Sequence, residues 1–456
     1  MADADPPLVA FISLGCCKNL VDSEKMLGQL AESGVVICGD ESTADTIVVN
    51  TCGFLDAARE EALEIIEELA ERKRTGTLRR IVVAGCLVQR DREKLLETVP
   101  EIDAIVGVNN RDDVARAVLH RSVDNAGQPT ASSALRYLGD YVPAGAADWS
   151  DRGRLRLTPN HYAYVRISEG CNQRCTFCTI PAIRGPLHGK RPETLAGECR
   201  ELIDDGAREL ILIGQDTTSY GVDLGYQPGL AGLLRLLDQE CDGARWLRLM
   251  YVYPSIFTDE MIAAIAECER VVKYIDIPLQ HINDRVLKAM GRRVTRKQTE
   301  DLLERLRRSI PGVVIRTTFI VGFPGETEAE FAELLDFACD FGFDAVGAFQ
   351  YSHEPDTPAA RLKGRVDDAL IQERHERLML AQQEIAFAAA REKIGTEFEI
   401  VIDESNAETP PLARHAGQAP DVDSVCVLES GSASPGEFMR VRCVGADDYD
   451  LIVRPM

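Results

Sequence analysis

The sequence predicts an α/β protein built from an amino-terminal α/β sheet domain, a partial (β/α)6 barrel and a small carboxy-terminal β-barrel. Short β-rich runs alternate with helical patterns along most of the 456 residues, as in βα units on a parallel sheet. The periodicity weakens once, where Gly, Pro, Ser and Asp accumulate, which indicates a linker. Beyond Lys393 the helical pattern gives way to short β runs, as in a small β-barrel.

These changes in pattern predict where the domains begin and end. We expect an amino-terminal domain over 8–122, a linker over 123–157, the central barrel over 158–393 and the small β-barrel over 394–456. With 45% hydrophobic residues, the chain can bury a large core divided between domains.

The amino-terminal domain contains three predicted buried strands, Leu8–Leu14, Thr46–Asn50 and Ile81–Ala84. Between the last two strands, Asp56–Arg74 carries apolar residues at helical spacing behind Asp56, a residue of the type that caps helices. This stretch predicts a crossover helix on a mostly parallel sheet.

The central domain contains six strand-like runs with helical patterns between most of them. They are Tyr162–Ser168, Glu209–Gly214, Trp246–Met250, Tyr274–Ile277, Val314–Val321 and Ala345–Tyr351. Six βα units predict an open, partial barrel, in which the chemistry lies on loops after the carboxyl ends of the strands.

The carboxy-terminal segment contains four further strand-like runs. They are Thr396–Ile402, Ser424–Leu428, Glu437–Val444 and Tyr449–Val453. Short strands at this spacing predict a small β-barrel appended to the central domain.

The composition excludes several classes of protein. No run of eighteen apolar residues is present, and the start MADADPPLVA lacks the basic and apolar parts of a secretion signal, so we expect a cytoplasmic protein without a membrane partner. Fourteen cysteines are too sparse here for a secreted disulfide scaffold, so we expect thiols or metal ligands. The formal net charge of −23 favours a basic protein partner over nucleic acid.

A C-x3-C-x2-C motif, formed by Cys171, Cys175 and Cys178, follows the first strand of the central domain. Three thiolates suit a four-iron cluster with one open iron, because such a cluster normally takes four cysteines. The amino and carboxylate groups of S-adenosylmethionine could chelate that iron, and the reduced cluster could cleave the sulfonium C–S bond to give an adenosyl radical. The alternative is a zinc site or chance cysteines, but zinc needs a fourth ligand and the nearest candidate, His188, is better explained as a solvent-facing loop residue.

A second, dispersed set of cysteines follows predicted strands of the amino-terminal domain. Cys16, Cys52 and Cys86 each come at a strand's carboxyl end, and such ends converge on one crevice in an open α/β sheet. Three thiolates could hold a second cluster there. The alternative is that each is a buried cysteine acting as a small hydrophobe, and the adjacent Cys17 complicates the choice of ligand.

Other candidate binding residues follow strands of the central domain. The glycine-rich GFPGET contains Gly322 and Gly325; it could cradle phosphate, but it lacks the Lys-Ser/Thr ending of a P-loop, and a tight turn that brings backbone close to a cofactor fits better. Gln215 in LIGQDTTSYG and Gln280 in DIPLQHIND also follow strands, where a role in cofactor or substrate contact and a role in loop structure remain open.

These motifs together resemble the radical methylthiotransferases, across nearly the whole chain. The resemblance rests on SLGCCKNLVDSE, NTCGF, AGCLVQR, ISEGCNQRCTFCTIP and GFPGET, in that order. It implies an auxiliary 4Fe-4S cluster on Cys16, Cys52 and Cys86, a radical-generating 4Fe-4S cluster on the C-x3-C-x2-C cysteines, and a TRAM-like β-barrel that helps to bind the substrate. Cys17 stands where the family usually has proline, which leaves the backbone of this turn less fixed.

The resemblance also implies a reaction. One S-adenosylmethionine methylates sulfur held at the auxiliary cluster, and a second is cleaved to a radical that removes hydrogen from the substrate carbon, to which the methylthio group is joined. A radical is needed because an unactivated C–H is far too weakly acidic for general-base catalysis. The reaction requires an external electron donor.

Two main bacterial branches of the family modify different substrates, an adenosine of tRNA or an aspartate of ribosomal protein twelve of the small subunit. KNLVDSE, IGQDTTSYG, DIPLQHIND and ARHAGQAPDVDS are more similar to the branch that modifies the ribosomal protein. From Gly395 to Met456 twelve acidic residues oppose four arginines, a net charge of −8, which should attract a basic ribosomal protein and makes tRNA the less favoured substrate. The alternatives are a tRNA methylthiotransferase, a two-cluster electron-transfer protein and a metal-stabilised interaction scaffold.

Overall fold

The computed structural model describes 6–120, 134–139, 149–406, 408–429 and 433–456. These residues divide into two compact units. The first comprises the described residues up to Leu157 with Glu169–Gln173 and Thr179–His188, and the second comprises Thr158–Ser168, Arg174–Cys178 and Gly189–Met456. Much of the predicted linker, 123–157, lies outside the described residues, and the predicted domain boundaries stay predictions.

The first unit contains a six-stranded parallel sheet. Its strands are β1 (Leu8–Ser13), β2 (Val36–Ile37), β3 (Thr46–Thr51), β4 (Arg80–Gly85), β5 (Ala104–Gly107) and β6 (Leu135–Tyr137), in the order β2-β1-β3-β4-β5-β6. β3 and β4 are buried along their whole length, because apolar clusters cover both faces of the sheet. The predicted parallel sheet is confirmed.

Helices cover this sheet. They are α1 (Cys17–Glu32), α2 (Asp56–Arg74), α3 (Cys86–Asp91), α4 (Lys94–Thr98), α5 (Val114–Leu119) and α6 (Ile180–Arg184), with a 3-10 turn at Val108–Asp113. The predicted crossover helix α2 has the expected bounds, but the expectation that Asp56 caps it is wrong. Leu55 is the N-cap residue, and Asp56 pairs with Arg59 at 2.8 Å in the first turn.

The second unit contains an open six-stranded parallel sheet. Its strands are β7 (Tyr162–Arg166), β10 (Glu209–Ile213), β11 (Trp246–Leu249), β12 (Val271–Asp276), β13 (Val314–Val321) and β14 (Ala345–Gln350), and the two-residue strands β8 (Ser168–Glu169) and β9 (His188–Gly189) lie between β7 and β10 in the chain. The order β14-β13-β12-β11-β10-β7 leaves the sheet unclosed, which confirms the partial (β/α)6 barrel.

Helices pack on the outer face of this sheet. They are α7 (Pro192–Asp204), α8 (Gly229–Glu240), α9 (Asp259–Glu267), α10 (Asp284–Ala289), α11 (Arg296–Ser309), α12 (Glu328–Phe341) and α13 (Asp368–Glu392), with 3-10 turns at Pro254–Ile256 and Ala359–Arg361. Alternate strand residues such as Val165 and Leu212 join the main apolar core with these helices. Their neighbours, such as Tyr164 and Arg248, point to the opposite, inner face, because side chains alternate along a strand.

The carboxy-terminal part of the second unit is a closed five-stranded barrel, which confirms the predicted small β-barrel. Its strands are β15 (Glu397–Glu404), β16 (Leu412–His415), β17 (Cys426–Leu428), β18 (Phe438–Asp447) and β19 (Asp450–Pro455), in the order β15-β16-β17-β19-β18. β16 was not predicted.

A buried ion network joins this barrel to the amino-terminal ends of the sheet strands. Glu209, the first residue of β10, is fully buried and accepts from Arg248 Nε at 2.6 Å and Arg414 Nη1 at 2.8 Å. Arg414 also binds Asp403 at 2.7 Å, and Asp403 contacts His161 Nε2 at 2.8 Å. The barrel is thereby fixed at the end of the sheet opposite to the carboxyl ends of the strands.

The loop between β16 and β17 reaches the inner face of the sheet at the same end. Tyr164 donates to Asp421 at 3.1 Å, and Tyr274 donates to Asp423 at 2.7 Å. Arg248 also donates to the carbonyl of Ala416 at 2.9 Å.

Among the helices of the described residues, none combines the length and apolar composition needed to cross a membrane.

Candidate metal and cofactor sites

Cys16, Cys52 and Cys86 follow three neighbouring strands of the first unit's sheet. Cys16 lies between β1 and α1 as the N-cap residue, Cys52 follows β3, and Cys86 is the first residue of α3, directly after β4. Since β1, β3 and β4 are adjacent and parallel, the three cysteines share one edge of the sheet, as the sequence predicted.

Two glycines allow the cysteine-bearing loops to approach each other closely. Gly15 has φ +93°, and a Cβ on it would lie 2.9 Å from Cys52 Cβ and 3.4 Å from Cys52 Sγ. A Cβ on Gly53 would lie 2.7 Å from the backbone nitrogen of Leu87 and 2.8 Å from the carbonyl carbon of Cys86. The turn before Cys16 therefore packs on Cys52, and the turn after Cys52 packs on Cys86.

The side chain of Arg184 lies beside these cysteines in the same unit. It is 2% exposed, and its Nη2 donates to Cys86 Sγ at 3.1 Å. Its Nη1 binds Asp22 Oδ2 at 2.8 Å and Glu169 Oε2 at 3.0 Å, which hold the guanidinium in place. Sequence reasoning missed Arg184; its only local signal was a basic residue six positions after Cys178 in IPAIRGP.

Burial makes the thiols of Cys52 and Cys86 hold their protons more tightly than exposed thiols do. Burial raises the pKa of the Cys86 thiol to about 12, and burial also raises the pKa of Cys52. Arg184 opposes this change and lowers the pKa of both thiols. A bound metal would displace these protons, because thiolates are the metal-binding form.

The donor chemistry of the three cysteines fits an iron–sulfur cluster. Among the described residues, no three His, Cys, Asp or Glu side chains surround a point as the ligands of one metal ion do. In a cluster each thiolate binds its own iron, so the sulfurs need not meet at one point.

The C-x3-C-x2-C loop is anchored within each unit separately. In the first unit, the backbone N–H of Cys171 donates to the carbonyl of Gly185 at 3.1 Å. In the second unit, Cys178 N donates to Cys175 O at 3.2 Å, and Thr176 N donates to Met290 O at 2.9 Å. Backbone hydrogen bonds thus fix both parts of the loop.

Gln215 and Gln280 follow β10 and β12 of the second unit, as predicted. Gln280 has φ +72°, which is costly for a residue with a Cβ, and its backbone is held by hydrogen bonds to Thr318 O and from Ile320 N, both at 2.8 Å. Its Oε1 is buried without a hydrogen-bond partner among the described residues. An unpaired acceptor on a strained residue at this end of the sheet fits a ligand contact.

The turn containing Gly322 and Gly325 is satisfied by the protein itself. Glu326 Oε2 accepts from the backbone N–H groups of Gly322 at 2.6 Å and Phe323 at 3.0 Å. Gly325 N donates to Gly364 O at 2.7 Å. These N–H groups are already used, so the geometry favours the tight-turn interpretation over a phosphate cradle.

Profiles of three known families match separate parts of the chain. The radical SAM superfamily matches residues 165–338, the uncharacterized protein family UPF0004 matches residues 8–107, and the TRAM domain matches residues 394–456. The three matches follow the order of the sheet of the first unit, the open sheet and the closed barrel.

Curated relatives match nearly the full length. The ribosomal protein uS12 methylthiotransferase RimO of Desulforamulus reducens is 42% identical over 451 residues, covering 98% of this chain and 99% of that protein. The protein of the same name from Anaeromyxobacter sp. is 44% identical over 446 residues, covering 97% of this chain and 92% of that protein.

A solved structure shares the fold. The radical S-adenosylmethionine methyltransferase TsrM from Kitasatospora setae, with tryptophan and a SAM analogue bound, is similar with a TM-score of 0.55 at 14% identity, covering 83% of this chain and 89% of that chain.

Proposed function

Because the chain belongs to the family of RimO radical SAM methylthiotransferases, we propose that it places a methylthio group on the β-carbon of an aspartate in ribosomal protein uS12. The observation that carries the proposal is the presence of two separate cysteine sets, one at the ends of three neighbouring parallel strands and the other in the single loop after β8. One set supplies sulfur chemistry and the other supplies radical chemistry.

In this proposal Cys16, Cys52 and Cys86 hold an auxiliary 4Fe-4S cluster. The close approach of the three loops at Gly15 and Gly53 supports this assignment, as does the guanidinium of Arg184 beside Cys86. Arg184 offsets part of the negative charge that three neighbouring thiolates, of which only Cys86 is buried, would bring together.

Cys171, Cys175 and Cys178 hold the second 4Fe-4S cluster in the proposal. When bound, a cluster with an open iron supplies the one-electron cleavage of S-adenosylmethionine. Gln280 offers its unpaired Oε1 to a donor group of the bound molecules. Gln215 lies in the corresponding position after β10, and the turn at Gly322 and Gly325 shapes the backbone after β13.

The protein substrate is proposed from the relatives and from the charge of the closed barrel. Several of its twelve acidic residues serve internal ion pairs, among them Asp403 and Asp423. Apart from Asp421, which accepts a hydrogen bond from Tyr164, five exposed ones form no ion pair within the described residues: Glu404, Glu408, Glu437, Asp447 and Asp448. These five are available to a basic ribosomal protein, in a contact that salt weakens. We place the reaction in the cytoplasm.

The proposal is tested by mass spectrometry of uS12 after anaerobic incubation with the reconstituted, reduced protein, S-adenosylmethionine and sulfide. We expect a methylthio mass gain on one aspartate, lost in Cys175→Ala and in Cys52→Ala. Cys339→Ala, which changes an exposed cysteine of α12 outside both sets, should retain the gain.

A parallel reaction with tRNA separates the branches of the family. A mass gain on tRNA alone would assign the chain to the tRNA branch. If the reduced protein does not cleave S-adenosylmethionine at all, the radical proposal is wrong and a two-cluster electron-transfer protein becomes the better interpretation.

A further inference from the structure

Three segments of the second unit that surround Thr176 carry exposed positive charges and no acidic residue. The segments are Arg174–Cys178, 288–293 and 359–363. Their exposed basic residues are Arg174, Lys288, Arg293, Arg361 and Lys363, which we call the basic face.

Hydrogen bonds bring the three segments together at the residue that follows Cys175. Thr176 N donates to Met290 O at 2.9 Å, and Thr176 Oγ1 donates to Ala289 O at 2.8 Å. The third segment joins through Ala359 N, which donates to Thr176 O at 2.9 Å. The basic face therefore adjoins the second half of the C-x3-C-x2-C loop.

The basic face is not neutralised by the protein itself. None of its five side chains forms an ion pair within the parts of the chain that the structure describes. Other arginines nearby are paired, such as Arg296 with Glu300 at 2.7 Å and Arg285 with Glu330. An unneutralised positive surface is unusual in a chain with a formal net charge of −23.

We propose that the basic face is the docking site of the electron donor, and that this donor is a small acidic electron-transfer protein. This inference rests on the proposed function, in which Cys175 and Cys178 bind the reducible cluster. Electron transfer between proteins weakens steeply with distance, so a donor must dock close to this loop. An acidic donor is repelled by the chain as a whole and steered by opposite charge to this face.

The charge of the face would also suit RNA, but its position favours the electron donor. An RNA contact can lie anywhere on the surface, whereas a donor must reach the loop that carries the cluster ligands. In each productive encounter the donor loses one electron and the cluster gains it, and no proton or covalent bond is exchanged.

The test measures cluster reduction by stopped-flow absorbance at low salt. The donor is a reduced, acidic flavin-mononucleotide protein, and dithionite serves as a reductant that needs no docking. We expect Lys288→Glu/Arg293→Glu/Arg361→Glu to slow reduction by the flavoprotein at least tenfold, because steering by charge changes association rates by about 10 to 10³-fold. Reduction by dithionite should stay unchanged, and salt should slow the wild-type reaction with the flavoprotein.

Arg308→Glu is the control for the single variant Arg293→Glu, because each changes the net charge by two. Arg308 is exposed, forms no ion pair among the described residues, and lies about 18 Å along α11 from the end nearest Arg293. Equal slowing in Arg308→Glu and Arg293→Glu, or no slowing in the triple variant, would overturn the proposal. Loss of affinity for the small ribosomal subunit in the triple variant, with flavoprotein reduction intact, would assign the face to RNA instead.

Failure of the proposed function gives a different result. In that case the dithionite-reduced protein does not cleave S-adenosylmethionine in any variant. Direct binding of the flavoprotein, measured by fluorescence anisotropy, keeps the docking test independent of that chemistry. Equal affinity of wild type and triple variant at low salt would also contradict the docking site.

Discussion

Arg184 connects the cysteine edge of the first sheet to two buried carboxylates. Its guanidinium donates to Cys86 Sγ and binds Asp22 and Glu169. Although burial alone would lower the pKa of Arg184, its negative neighbours raise that pKa well above its ordinary value, so the side chain stays charged. A fixed positive charge beside a cluster ligand stabilises the more negative, reduced form of the cluster.

Arg184→Gln should therefore make the midpoint potential of the proposed auxiliary cluster more negative. A charge-assisted hydrogen bond contributes about 1.5–3 kcal/mol, which corresponds to about 60–130 mV for one electron. The potential is measured by an anaerobic redox titration followed by electron paramagnetic resonance. Arg111→Gln is the control, because Arg111 pairs with Asp22 at 2.9 Å without touching a cysteine. An equal shift in both variants would assign Arg184 a purely structural role.

Glu326 makes the stability of the second unit depend on pH. Burial raises its pKa from 4.5 to about 7, although Arg374 and two backbone N–H groups oppose this change. The folded protein therefore holds this proton at pH values where the unfolded chain has lost it. The contribution of Glu326 to the free energy of unfolding is therefore fully present below about pH 4.5. It is lost as the pH rises through about 7, where the folded protein also releases the proton.

Glu326→Gln should reduce the fall in unfolding free energy between pH 5 and pH 7.5. The wild-type contribution is at most about 3 kcal/mol. The measurement is urea unfolding of the anaerobic protein at the two pH values. Glu328→Gln is the control, because Glu328 is an exposed carboxylate that pairs with Arg377. This variant should show the same change in unfolding free energy between the two pH values as wild type. Unchanged pH dependence in Glu326→Gln would contradict the assignment.

At the scale of elements, the turns after β1 and β3 decide how closely the cysteine-bearing loops approach each other. Gly15→Ala should lower the iron content of the auxiliary site, because the new Cβ would lie 2.9 Å from Cys52 Cβ. Iron is measured per protein after reconstitution, in a Cys175→Ala background that removes the other proposed cluster. Gly76→Ala is matched, because Gly76 also has positive φ (+83°) but no atom within 4 Å of its Cβ position.

Both glycine variants incur the backbone cost of a left-handed residue, about 1–2 kcal/mol. Only Gly15→Ala should lose iron. Similar iron content in the two variants would show that the close approach at Cys52 is not needed for cluster binding.

The sequence predicted most elements because their signals are local. Val314–Val321 was predicted with its actual bounds, since a buried run of β-branched residues identifies a strand by itself. The strand Leu412–His415 was missed because Arg414 and His415 are polar residues, which sequence reasoning expects at the surface rather than in a buried strand. Arg414 is buried only because Glu209, more than two hundred positions earlier, supplies its partner.

The candidate site likewise has features that the sequence could predict and features that it could not. The positions of the six cysteines after strands could be predicted because those strands are recognisable in the sequence, whereas their role as cluster ligands stays a prediction. Arg184 could not be predicted, because its role depends on Asp22, Glu169 and Cys86, which only the fold brings together. The strained φ of Gln280 is likewise a property of the folded backbone and has no signature in the sequence.

At the scale of the whole molecule, the buried ion network should make the closed barrel and the open sheet unfold together. Arg414→Gln leaves the carboxylates of Glu209 and Asp403 short of a partner, and breaking a buried pair in this way costs about 3–5 kcal/mol. We expect a single, destabilised urea transition seen equally by far-UV circular dichroism and by tryptophan fluorescence in a Trp149→Phe background. The remaining Trp246 reports on the barrel because it packs on Phe438.

Arg454→Gln removes an exposed pair with Glu429 on the same barrel and should cost at most about 1 kcal/mol. Two separate transitions in Arg414→Gln, with the sheet as stable as in wild type, would contradict the coupling.

The contacts of the loop between β16 and β17 have a consequence for protein engineering. A chimera that exchanges only the carboxy-terminal barrel for that of another methylthiotransferase would also exchange the partners of Glu209, Tyr164 and Tyr274. Unless the incoming barrel carries an arginine and two carboxylates at matching places, these buried groups lose their hydrogen bonds. The exchanged segment therefore has to include the sheet residues that the barrel contacts. The barrel cannot be exchanged on its own.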